Sequence, residues 1–167
     1  EKENAERVTL FETYADSSEY KAHLATPHFQ KYKNGTIQMV KHLELIEMQP
    51  IFYDRKSHLS NAESEELYIR LIKMEIDSSS MADFNNMATS VMLPGIKNEP
   101  GVLVMYAVAE KNHPSRISIL EVYANLAAYE NHIRSAHFLK YKEESKKAVR
   151  SLTLIDVNPI LLGSKQQ

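Results

Sequence analysis

Residues 116–142 read RISILEVYANLAAYENHIRSAHFLKYK, and residues 7–33 read RVTLFETYADSSEYKAHLATPHFQKYK. At one offset of 109, which sets His137 on His28, the two stretches align without a gap. Arg7/Arg116, Glu12/Glu121, Tyr14/Tyr123, Ala15/Ala124, Tyr20/Tyr129, His23/His132, His28/His137, Phe29/Phe138, Lys31/Lys140, Tyr32/Tyr141 and Lys33/Lys142 are identical pairs. The match fades but holds register through Val40/Val149, Leu43/Leu152, Leu45/Leu154, Ile46/Ile155 and Pro50/Pro159. Self-similarity at one fixed spacing marks a duplicated module.

The second copy can be read whole. LYIRLIKMEI (67–76) is rich in β-formers and bounded by polar residues, so it predicts a strand. Ser80 and Asp83 have the spacing of a helix cap and its partner, and Phe84, Met87, Ala88 and Val91 then recur at helical spacing. Pro94 and Gly95 are expected to end that helix. VLVMYAVAE (102–110) and RISILEVYA (116–124) predict strands across the hairpin-sized turn KNHPS. Asn125 is expected to cap a short helix to about Arg134, and Ser135 another from Ala136 to about Val149. SLTLIDVNPI (151–160) closes the module as a strand. The order β-α-β-β-α-β is the ferredoxin-like α+β arrangement.

The first copy begins at its third strand, RVTLFETYA, and closes with HLELIEMQPI. It is expected to be a truncated module over 1–52, followed by a polar linker over 53–66, the complete module over 67–163 and a tail over 164–167. A half-module leaves an open sheet edge and an uncovered apolar face. Glu1 is therefore expected not to be the natural start of translation.

Bulk composition excludes several functions. Apolar residues make up 43% and charged residues 25%, ordinary globular usage. The net charge of −2 and the scattered basic residues give no surface for nucleic acid. With no cysteine there are no disulfides, thiol nucleophiles or thiolate metal sites. No apolar run reaches the ~18 residues of a membrane span, and EKENAERVTLF is not a signal peptide. A cytoplasmic protein is expected, with export after signal removal left open.

FETYADSSEYKAHLATPHFQKYK and LEVYANLAAYENHIRSAHFLKYK resemble the signature of the antibiotic biosynthesis monooxygenase family, closest to its quinol-monooxygenase branch. The shared pattern is an acidic-x-aromatic strand end, a capped turn, a His, a short gap, and Thr/Ser-x-His-Phe. The resemblance covers about 65–163 and the back half of the first copy. It implies modules that pair into a dimeric α+β barrel, here as a homodimer or an internal pseudo-dimer. It also implies one of several activities: oxygenation of an aromatic substrate with O2 and no cofactor, haem degradation, or isomerisation of a small carbonyl compound. The haem-degrading branch carries a tryptophan where this chain has Tyr14 and Tyr123, and the chain has no Trp. A non-catalytic ligand-binding or interface module is the remaining alternative.

Six residues are candidates for catalysis: His137, His132, Tyr123, His28, His23 and Tyr14. Thr26 and Ser135 are placed to cap helices, Pro27 suits the first helical position, and His28 and His137 fall in the first turn. There the helix end disfavours imidazolium, leaving a neutral base or donor. The other reading makes each histidine a fixture of the helix–helix joint. His23 and His132 lie five residues earlier and would face away on one continuous helix, but the break between the helices can turn both imidazoles together. That spacing suits no metal, and with no carboxylate triad nearby none is expected. Glu121 shares a strand face with Ile117, Ile119 and Tyr123, so it needs a partner, either a polar pocket or Arg70 across the sheet, or else it reaches water at the strand edge. Phe84, Met87, Met105, Phe138 and Tyr141 are candidates for an apolar substrate wall, or plain core.

Overall fold

The structure is a computed structural model and describes residues 1–56, 66–161 and 163. The chain forms two compact units, one of Val8–Ile46 and one built on Glu1–Arg7 and the chain from Glu47 onward.

In the smaller unit, Asp16 accepts bonds from the Ser18 and Glu19 amides and opens α1 (Ser17–Leu24). Thr26 caps α2 (Pro27–Thr36), accepting from the Phe29 amide at 3.3 Å with Pro27 at the first position. The strand expected over 7–15 is not formed, and Val8 and Leu10 are 59% and 61% exposed. A strand needs a ladder partner for its backbone groups. Its counterpart in the second copy has one on each side; among the described residues this stretch has none. The residues matching the last strand, Val40, Leu43, Leu45 and Ile46, likewise form no strand and are exposed.

The larger unit is a five-stranded antiparallel sheet with helices. It contains β1 (Met48–Arg55), β2 (Tyr68–Ile76), α3 (Met81–Asn98), β3 (Val102–Glu110), β4 (Arg116–Tyr123), α4 (Leu126–His132), α5 (Ala136–Ser145) and β5 (Val149–Val157). The strand order is β1-β3-β4-β2-β5. From β2 onward this is the predicted ferredoxin-like α+β module, with β1 added beside β3. The first copy was expected to close with HLELIEMQPI (42–51), but pairing with β3 sets β1 further along, from Met48↔Glu110 to Arg55↔Val104. The expected linker is therefore strand as far as Arg55, while 57–65 and the tail 164–167 lie outside the described residues. Pro50 sits beside a bulge on this edge strand, where a missing N–H donor is tolerated.

Between helices and sheet lies a core of Phe84, Ala88, Val91, Met92 and Ile96 from α3 against Met74, Ile76, Met105, Ala107, Ile117 and Ile119. That core explains the largest departure from expectation. α3 does not stop at Pro94 and Gly95 but runs on to Asn98. Its apolar spacing continues to Ile96, and burial outweighs the bond that Pro94 removes. Gly95 is there for closeness: a Cβ on it would lie 3.2 Å from His132 Cε1 and 3.4 Å from the Met105 side chain.

Smaller corrections have the same origin. Ser80 makes no side-chain cap; instead Asp77 accepts from the Ser79 amide one turn earlier. α4 ends at His132, short of Arg134, because Ser135 opens α5 and accepts from the Phe138 amide. α5 ends at Ser145 rather than Val149, because the chain is drawn into the sheet: the Ala148 carbonyl accepts from the Asp77 amide and Val149 pairs with Ile76.

Candidate active site

The extra turn of α3 brings Glu99 to the histidines. Glu99 is the first extended residue after the helix. Its Oε1 lies 2.8 Å from His132 Nδ1 and 2.6 Å from His137 Nε2. The break at 133–135 turns both imidazoles to this one oxygen, with ring centroids 5.7 Å apart. The expectation that no carboxylate completes the cluster is thereby corrected.

Since the carboxylate accepts from both rings, His132 carries its proton on Nδ1 and His137 on Nε2. On each ring the other nitrogen is left to accept a proton. His132 is buried, and burial lowers its pKa against the opposing pull of Glu99, so the ring is neutral. His137 is the accessible member, its side chain 23% exposed, and Ser135 Oγ stands 3.0 Å from its Nε2.

Glu99 also lines a cleft of about 490 Å³ with Asn98, Gly101, Asn125, Ala128 and Asn131. Lys56 donates from its ammonium to the Glu99 carbonyl, and burial lowers its pKa.

A second polar cluster lies beside the first. Glu121 is buried and accepts from the Tyr123 hydroxyl at 2.9 Å, so the reading in which it reaches water is corrected. Burial pushes its pKa up to about 7, against the Tyr123 bond and the Arg70 charge. Arg70 stands opposite Glu121 in the ladder, yet its guanidinium bonds Asp156 and the hydroxyls of Tyr68 and Tyr129. Tyr123 has no exposed surface, packs its ring 5.7 Å from that of His132, and has its pKa raised by burial and by Glu121.

The residues considered for a substrate wall do not line the cleft. Phe84 and Met105 are core, Met87 packs against it, and Phe138 and Tyr141 are half-buried on α5. Phe138 is edge-on to His132 at 5.2 Å, and burial raises the Tyr141 pKa to about 12.

The first copy repeats the constellation within its own unit. Tyr14, Tyr20, His23, His28 and Phe29 pack ring to ring as Tyr123, Tyr129, His132, His137 and Phe138 do. The spacings are 5.2 Å for Tyr14–Tyr20, 5.5 Å for Tyr14–His23 and 5.2 Å for His23–His28. Among the described residues, neither His23 nor His28 bonds a carboxylate.

Sequence reasoning missed Glu99, Asp156 and Tyr129. Glu99 was recoverable: the run Val91, Met92, Gly95, Ile96 continues the helical period past Pro94 and places Glu99 at the end of that face.

The sequence profile described as antibiotic biosynthesis monooxygenase matches residues 1–35 and 67–144, more than half of the chain. The chain belongs to the antibiotic biosynthesis monooxygenase family. Among solved structures, a "putative antibiotic biosynthesis monooxygenase" from Bacteroides thetaiotaomicron is 41% identical, with a TM-score of 0.59 over 62% of this chain and 99% of that one. A "putative monooxygenase" from Lactobacillus acidophilus is 22% identical, with a TM-score of 0.79 over 86% of this chain. Another from Fusobacterium nucleatum is 16% identical, with a TM-score of 0.76 over 87%. These last two share the fold, and the chain spans 65% of the length of each. No curated protein matches the chain. No helix among the described residues is long and apolar enough to cross a membrane.

Proposed function

We propose that this family member is a cofactor-independent monooxygenase of a small aromatic, quinol-like substrate, with its working site in the second module. The observation that carries the reading is the 2.6 Å bond between His137 and Glu99 beside the cleft that Glu99 lines. Family membership supports the reaction class.

In this reading His137 is the base. Its Nε2–H is held by Glu99, so Nδ1 takes the proton from an acidic C–H or O–H of the substrate. The carboxylate stabilises the imidazolium that forms. The electron-rich anion then meets O2. The resulting peroxide loses water and leaves a carbonyl, so a substrate methylene and one dioxygen give a carbonyl and one water. All the electrons come from the substrate, and the protein's part is deprotonation and exclusion of bulk water. His132 and Tyr123, both buried, position His137 and Glu99. Phe138, edge-on to His132, and Tyr141 beside it offer an apolar surface for a flat ring. His28, His23 and Tyr14 form the same ring cluster, but among the described residues neither histidine there bonds a carboxylate, and the second module is taken as the working site.

Oxygen uptake with a panel of hydroquinones, dihydroxyarenes and activated methylene arenes tests this, using metal-stripped wild type beside His137→Ala and His28→Ala. Uptake should fall at least about 100-fold in His137→Ala and stay unchanged in His28→Ala. No uptake above the uncatalysed rate would sink the oxygenase reading. Exchange of a carbon-bound proton into solvent without uptake would favour an isomerase.

A further inference from the structure

The geometry points to a second occupant for the Glu99–His132–His137 cluster: a divalent transition-metal ion, Zn²⁺ in particular. The inference stands on the placement of three donor atoms and does not depend on the oxygenase reading.

One carboxylate oxygen and two imidazole nitrogens lie within 4.8 Å of one another. Two histidines and a glutamate leave one tetrahedral position open, a ligand set that Zn²⁺ accepts. With metal–donor bonds of about 2.0–2.2 Å, tetrahedral donors stand roughly 3.3 Å apart. The present separations from Oε1 are 2.8 and 2.6 Å. An ion entering would therefore push the carboxylate oxygen back by less than about 1 Å, bring the two imidazole nitrogens, which lie within 4.8 Å of each other, to the same spacing, and replace the two protons the oxygen now shares.

One further feature favours binding. Both ligating segments are fixed from outside the cluster, His137 in the first turn of the capped α5 and Glu99 at the end of α3, where Glu99 also lines the cleft. One feature opposes it: the Lys56 ammonium, bonded to the Glu99 carbonyl, is a positive charge beside the site. A bound ion would draw on a lone pair of each ring and leave His137 a weaker base.

The test is isothermal titration of Zn²⁺ into the metal-stripped full chain, repeated with Co²⁺, whose visible absorption reports a tetrahedral nitrogen–oxygen site. Wild type, Glu99→Gln, His137→Ala and the double variant His23→Ala/His28→Ala are compared, with circular dichroism confirming each fold. His132 is left intact because it is core. One equivalent should bind to wild type and to the double variant. Affinity should fall at least about tenfold in Glu99→Gln and in His137→Ala. Lys56→Met should bind more tightly than wild type. Absence of a one-equivalent isotherm in wild type would overturn the inference. Equal binding in Glu99→Gln or His137→Ala would overturn it as well, since the ion would then sit on others of the seven histidines.

Discussion

At the scale of single residues, the informative group is Glu121. It sits buried on the helix-facing side of the sheet with one partner, the Tyr123 hydroxyl. Its carboxyl titrates near 4.5 when unburied and at about 7 in the fold. The folded state therefore holds a proton that the unfolded chain releases, and stability falls as pH rises from about 4.5 to about 7. The raised pKa corresponds to roughly 3 kcal/mol at ~1.4 kcal/mol per pH unit. Glu121→Gln keeps the shape and removes the titration. Urea unfolding at about pH 5 and about pH 8 should show wild type losing more stability than the variant across that interval. Parallel curves for the two proteins would mean that Glu121 is not protonated in the core.

The sequence announced Glu121 by setting a carboxylate on an apolar strand face. It announced the paired histidines by repeating them. It announced their shared partner faintly: Glu99 ends the apolar face of Val91, Met92, Gly95 and Ile96, while Pro94 and Gly95 speak locally for a helix end. The packing of Ile96 and the fit of Gly95 against His132 carry the helix on.

At the scale of elements, β3 and β4 were legible almost to the residue because both are runs of β-formers and a turn separates them. The elements that failed were those whose partner decides the outcome: the stretch over 7–15, which has no ladder among the described residues, and β1, which forms later than the duplication implies. The contact between the start of β3 and α4 is set as tightly. A Cβ on Gly101 would fall 2.4 Å from the Ala128 Cβ, and neither atom is the end of a flexible chain. Gly101→Ala should therefore cost about 1–3 kcal/mol, measured by thermal unfolding. Ala128→Gly in the same chain should recover part of that loss. Additive effects of the two changes would show that the elements do not meet there.

At the scale of the molecule, the sheet of the larger unit ends at β5 among the described residues, and Leu152 and Leu154 are 54% and 50% exposed on that edge. Apolar side chains beside unpaired backbone groups favour association. The expected outcome of sedimentation equilibrium is twice the chain mass of 19.2 kDa. Leu152→Lys with Leu154→Lys should return the single-chain mass. A wild type that sediments as one chain would overturn the homodimer.

One ring cluster recurs in two surroundings. Tyr14, His23, His28 and Phe29 reproduce the packing of Tyr123, His132, His137 and Phe138. His132 is buried and shares Glu99 with His137, whereas α1 and α2 bury no residue. Any divergence in exchange or ligand affinity between the two histidine pairs therefore reports on what encloses a ring cluster rather than on the rings themselves.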